Sequence, residues 1–212
     1  MHRGPEANQT LNRMPRSTVS HMLSLEDMSP VQSYAKRTIE YLEQDLVSYE
    51  AVLKDGSLHG KLGVGMITNA TAALDLFGWL LYQTLDQKIS NRDVFKKLIG
   101  DVRFFAADDF INERIFYGIV RCGVVHQFYP KDIAIVALDR DDPFVQSGGK
   151  AAVNAIGLYR RTVRGLKKVC EHILTLSGKD LDEMDFKLEL RRRLDEEELD
   201  GAKLNIHTLP QA

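Results

Sequence analysis

From Leu62 to Tyr82 the chain is apolar, interrupted by Asn69, Thr71 and Asp75. A surface helix carries its apolar side chains on one stripe, whereas a helix apolar nearly all round must be covered by neighbours on most sides. A membrane span needs about 20 predominantly apolar residues, and the three polar interruptions favour a buried core helix instead. Over Val64 to about Thr84, Ile67, Leu74, Phe77, Leu81 and Leu85 form a stripe that Trp79 and Leu80 widen further. The spacing predicts a central helix, and the rest of the chain must supply its cover.

The flanking segments read as helices too. Ser29-Pro30 offers a cap residue followed by proline at the first helical position. From there Ala35, Ile39, Leu42, Leu46, Tyr49 and Leu53 alternate spacings of four and three as far as Gly56. Asn91 to about Phe105 predicts a shorter helix carrying Val94, Phe95, Leu98 and Val102. Asp108 or Asp109 can cap a further helix, which must stop near Tyr129 because Pro130 disfavours helical geometry before it and brings no donor. Ile133 to Leu138 is a β-branched run ahead of the turn-forming Asp139-Arg140-Asp141-Asp142-Pro143, so a small hairpin or a single edge strand is expected. After Ser147-Gly148-Gly149 the longest clean helix begins, with Ile156, Tyr159, Val163, Leu166, Cys170 and Ile173 as its stripe up to Gly178. Lys179 to Gly201 is dense in charge and predicts a solvated terminal helix with a frayed tail. The expected fold class is all-α, a bundle of four or five main helices with a small β-hairpin or strand insertion.

At 212 residues, 44% hydrophobic and 27% charged, the chain suits one ordinary domain with additions at its ends. The expected division is a mobile extension over 1–28, a helical bundle over 29–178 and a charged helix and tail over 179–212. A formal net charge of −2 excludes a uniformly basic nucleic-acid coat but leaves room for a local basic face. Met1 to Arg16 is polar and lacks a secretory apolar core. Cys122 and Cys170 show no Cys-x-x-Cys spacing. A reduced, cytoplasmic setting with no membrane is expected.

One motif carries chemistry. Arg121-Cys122-Gly123-Val124-Val125-His126 places an arginine and a histidine together near the end of an apolar helix. On a wheel of 100° per residue, Ile115, Ile119, Cys122, His126 and Tyr129 fall on one stripe, and Arg121 stands about 140° round from His126. The two heads therefore need a cleft or a second chain to meet. A helix C-terminus favours an imidazolium, which suits a proton-transfer histidine. The plain alternative is a histidine satisfied within a core or interface. A Cys122–His126 nucleophile pair is also compatible with a spacing of four, although no oxyanion donor or orienting carboxylate accompanies it. Gly60, Gly63 and Gly65 fit neither the dinucleotide nor the P-loop spacing. The remaining histidines are scattered, so neither metal nor cofactor is expected. Arg160, Arg161, Arg164, Lys167 and Lys168 form one arc, in which Arg160, Arg164 and Lys167 are candidate phosphate contacts. Glu171 shares that arc, and a solvated helix face is the alternative.

Arg-x4-His on a late helix of a small bundle, followed by Gln127-Phe128-Tyr129-Pro130-Lys131, resembles the HEPN superfamily over roughly residues 29–178. The resemblance implies an RNA-binding protein or a metal-independent endoribonuclease of the toxin–antitoxin or defence type. Its catalytic residues would be Arg121 and His126, in a cleft lined by two motifs of a homodimer. RNA, a second copy of the chain and an antitoxin protein are the partners it implies. It also implies an alternative, a HEPN-like interaction or dimerisation module without activity. Cys122 stands where that family usually has Asn, Asp or His.

Overall fold

The computed structural model describes residues 27–55, 59–84, 89–106, 116–121, 123, 133–147 and 149–207. His126, Cys122 and the first 26 residues of the expected N-terminal extension lie outside the described residues. The chain is mostly helical with a small three-stranded mixed sheet.

The first helix, α1 (Pro30–Asp55), begins as its sequence requires. Ser29 Oγ accepts from Gln32 N at 3.4 Å and Gln32 Oε1 accepts from Ser29 N at 3.1 Å. This reciprocal box satisfies first-turn donors that no helical carbonyl can reach. The second helix, α2 (His59–Tyr82), is central as expected: Met66, Ile67, Ala70, Leu74, Phe77 and Leu80 are fully buried. Its Leu62–Tyr82 stretch is long and apolar enough to cross a membrane by length and composition, yet half of its most apolar part is buried inside the fold. Helix α3 (Asn91–Ile99) lies close against α2, because a Cβ on Gly78 would stand 3.3 Å from Val94 Cγ1.

Three expectations are corrected here. Helix α3 stops at Gly100, short of Phe105, because the chain turns where Asp101 accepts from the backbone of Arg103. Val102, expected on the apolar stripe, is 78% exposed, while Phe104 and Phe105 swing into the core. Secondly, Asp139–Pro143 does not turn a hairpin, and the run before it forms an edge strand, the other outcome expected. Strand β1 (Ala134–Val136) pairs in parallel with β3 (Lys150–Asn154), and β2 (Phe144–Ser147) pairs antiparallel with β3, giving the order β1-β3-β2. The hairpin turns at Gly149, whose φ of 77° suits glycine. The long helix α4 (Ala155–Thr175) therefore starts after β3, later than Ser147-Gly148-Gly149 suggested.

The third correction concerns the last helix, α5 (Gly178–His207), which is not simply solvated. Met184, Lys187 and Leu188 are buried, so α5 docks on the body through one face. Helix α4 packs on both α1 and α2. Two glycines allow close approaches: a Cβ on Gly165 would stand 1.9 Å from the Phe105 ring, and one on Gly157 would stand 2.3 Å from the Asp142 carbonyl oxygen.

Candidate functional site

Arg121 ends a six-residue π-helical segment, Phe116–Arg121. Such i→i+5 turns are rare and concentrate at functional sites. Aromatic packing fixes this one in place. The Phe116 ring stacks on Phe95 of α3 at 5.5 Å between centroids, and Tyr117 meets the same ring edge-on at 5.4 Å. The Arg121 guanidinium lies 5.3 Å from the centre of the Tyr117 ring, a cation–π distance. Within this segment the expected α-helical wheel does not apply, since a π turn advances less than 100° per residue.

Across from it, Asp75 of α2 holds the arginine. Nε and Nη2 of Arg121 both close on Oδ2 of Asp75, at 2.9 Å and 2.8 Å. The pair is largely sheltered, with the arginine side chain 13% exposed and the aspartate 26%. Burial raises the Asp75 pKa above the ordinary carboxylate value, and the hydrogen bond from Arg121 and the charges of Arg121 and Arg191 offset this only in part. Desolvation therefore outweighs the ion pair at this carboxylate.

The pair lines a cleft of about 220 Å³ between α2, α3, the π segment and α5. Its polar wall is Asp75, Asn91, Arg121 and Arg191, and Ala72, Leu76, Trp79 and Val94 supply the apolar surface. Each comes from a fixed element. Asn91 and Val94 are held by the start of α3, where Ser90 Oγ accepts from Asp93 N at 3.2 Å and donates to Asp93 Oδ2 at 2.6 Å. Trp79 packs against the core from the rim of α2.

The basic arc of α4 lies elsewhere and lines none of this cleft. Arg160 binds Glu50 at 2.8 Å and Asp139 at 2.7 Å, Arg164 binds Asp141 at 3.0 Å, and Lys167 binds Glu43 at 2.7 Å. Arg161 donates to the Asp141 carbonyl at 2.7 Å. The acidic loop that meets these cations is held from beneath by Asn154. Its side chain accepts from Leu138 N at 2.9 Å and donates to the Arg140 and Asp142 carbonyls at 3.1 and 2.9 Å. The arc that suggested phosphate contacts thus meets the chain's own carboxylates.

Comparison with protein-family models, with curated proteins and with solved structures returned no match. Sequence reasoning found Arg121 but passed over Asp75, Trp79, Asn91 and Arg191. A signal was present: Ala72, Asp75, Leu76 and Trp79 share one helical face, and a carboxylate on an apolar face requires a partner. Among the described residues no group of three His, Cys, Asp or Glu side chains is placed to hold a metal ion.

Proposed function

We propose that this chain is a HEPN-like, helical RNA-binding protein whose contact with RNA is the Arg121 cleft, and that Arg121 and His126 cleave RNA there without a metal. The supporting observation is the setting of Arg121, on a rare π turn at a cleft that also holds Arg191 and Trp79. RNA brings its own nucleophile, the 2′-hydroxyl beside the scissile phosphate. A histidine moves protons on and off the reacting oxygens, and a guanidinium steadies the charge developing on the phosphate. In this reading the phosphate displaces Asp75 from Arg121. A second copy of the chain completes the site.

One observation favours a second reading, an inactive HEPN-like module that binds a partner such as an antitoxin. The two-nitrogen hold of Arg121 on Asp75 is also what a purely structural ion pair looks like. Expression of the wild type should arrest growth, and the purified protein should break down RNA without added metal. His126→Ala and Arg121→Gln should abolish both effects. If wild type and His126→Ala behave alike in both assays, catalysis by this pair is wrong and the interaction module stands.

A further inference from the structure

We infer that the cleft is a base subsite: one unpaired nucleobase of a single-stranded RNA lies against the Trp79 indole while Arg121 and Arg191 hold its phosphate. This rests on the RNA-binding reading and says which form of RNA the site accepts.

Size comes first. Sites for drug-sized ligands occupy about 300–1,000 Å³, and the 220 Å³ here suits one flat ring system with a phosphate at its mouth. A base pair within a duplex cannot enter, because its faces are covered by stacking neighbours, whereas an unstacked base can lie on an aromatic side chain. Trp79 meets the demand for a rigid platform. It packs against the core and lines the cleft, so the ring pays little conformational entropy on binding.

Polarity points the same way. With Asp75 paired to Arg121, the charged groups on the cleft wall sum to one positive charge, which favours an anionic ligand over a bare apolar one. An anion alone would leave the apolar surface of Trp79, Leu76 and Val94 unused. A nucleotide unit answers both. Asp75, once displaced from Arg121, and Asn91 supply polar groups for the edge of the ring.

Trp79 is the chain's sole tryptophan, so its fluorescence reports this cleft directly. The probe is a short single-stranded RNA with 2′-O-methyl sugars, which leave no nucleophile, labelled at one end for anisotropy. The inference expects saturable quenching of Trp79 in step with the rise in anisotropy, and no quenching by the same strand annealed to its complement. Trp79→Leu should weaken binding about tenfold, the scale of one lost base–aromatic stack. Trp79→Phe, which keeps an aromatic face and most of the packing, should stay within about threefold of wild type. If RNA binds and binding needs Arg121, yet Trp79 is not quenched and Trp79→Leu binds as well as wild type, the base subsite is wrong and the RNA-binding reading survives. If the duplex quenches equally, the subsite is also wrong. If the wild type gives no anisotropy change with any RNA, both fall together.

Discussion

At the scale of single residues, buried polar side chains do much of the fastening. Gln32 is almost wholly buried and, besides its part in the cap of α1, its Nε2 stands 3.3 Å from the carbonyls of Ile173, Leu174 and Leu176 at the end of α4. One amide therefore serves the start of one helix and the end of another, where carbonyls lack helical donors. Tyr82 does the comparable task at the far end of α2. Its hydroxyl donates to Asp101, which also accepts from Arg103 Nε at 3.0 Å and Nη2 at 2.6 Å. Burial first, then the bond to Asp101, pushes the Tyr82 pKa from 10.0 up to about 12. The hydrogen bonds from Arg103, ahead of the one from Tyr82, hold the Asp101 carboxyl well below the usual range. The signs are opposite. Between pH 10 and about 12 the unfolded chain releases the tyrosine proton while the folded chain keeps it, so this contribution is full below pH 10 and fades as pH rises through 12. The Asp101 contribution is present above about pH 4 and fades as pH falls toward its lowered value. Tyr82→Phe should cost about 1.5 kcal/mol at neutral pH, as a lost hydrogen bond to a charged group, and should flatten the alkaline loss of stability. Urea unfolding at a series of pH values measures both, and an unchanged slope between pH 10 and 12 would count against the assignment.

Among elements, the contact that decides the placement of the 101–105 turn is Phe105 on Gly165. The ring occupies the space in which any larger residue at 165 would put its Cβ. Gly165→Ala should therefore destabilise by about 1–3 kcal/mol through overpacking, although alanine is the better helix former. Phe105→Leu should be costly alone, yet the double variant should lose clearly less than the sum of the two. Strict additivity in denaturant unfolding would show that the ring and the glycine are not in contact. This packing also explains what the sequence makes legible. The stripes of α1, α2 and α4 each bury one face, so a period of 3.6 declares them, and Ala35, Ile39 and Leu42 fall where expected. Strand β3 is not legible that way. Lys150-Ala-Ala-Val-Asn has little strand propensity of its own, and it is a strand because β1 and β2 pair with it from either side. The end of α3 depends on Asp101, whose partners Tyr82 and Arg103 come together only in the fold. Of the candidate site, Arg121 stands out by its motif, while Arg191 is hidden in a run of three arginines and Asp75 in an apolar helix.

At the scale of the whole molecule, α5 is the element that closes the fold onto the cleft. Asp185 Oδ1 accepts from Val31 N at 2.7 Å and from Ser29 Oγ at 3.1 Å, so a carboxylate from the end of the chain supplements the cap of α1. Lys187 is buried, pairs with Glu183 at 2.8 Å, and points its ammonium at the Leu80 carbonyl near the C-terminal end of α2. That end carries the negative pole of the helix dipole, which suits a cation. Arg191 follows one turn later, on the wall of the cleft. Docking and site thus share one helix, and Leu188, 2% exposed, is one of the apolar side chains by which α5 joins the core. Leu188→Asp should destabilise the protein by about 3 kcal/mol, because it exchanges buried apolar area for a carboxylate that must be desolvated. It should also carry Arg191 off the cleft, so that Trp79 emission shifts to the red in the folded state. Glu189→Gln, on the exposed side of the same helix, should leave both readings unchanged. A destabilised Leu188→Asp variant whose folded-state Trp79 emission matches wild type would show that α5 stabilises the body without forming the cleft wall. If the emission shifts as expected, the proposed phosphate contact of Arg191 predicts weaker RNA binding in the same variant.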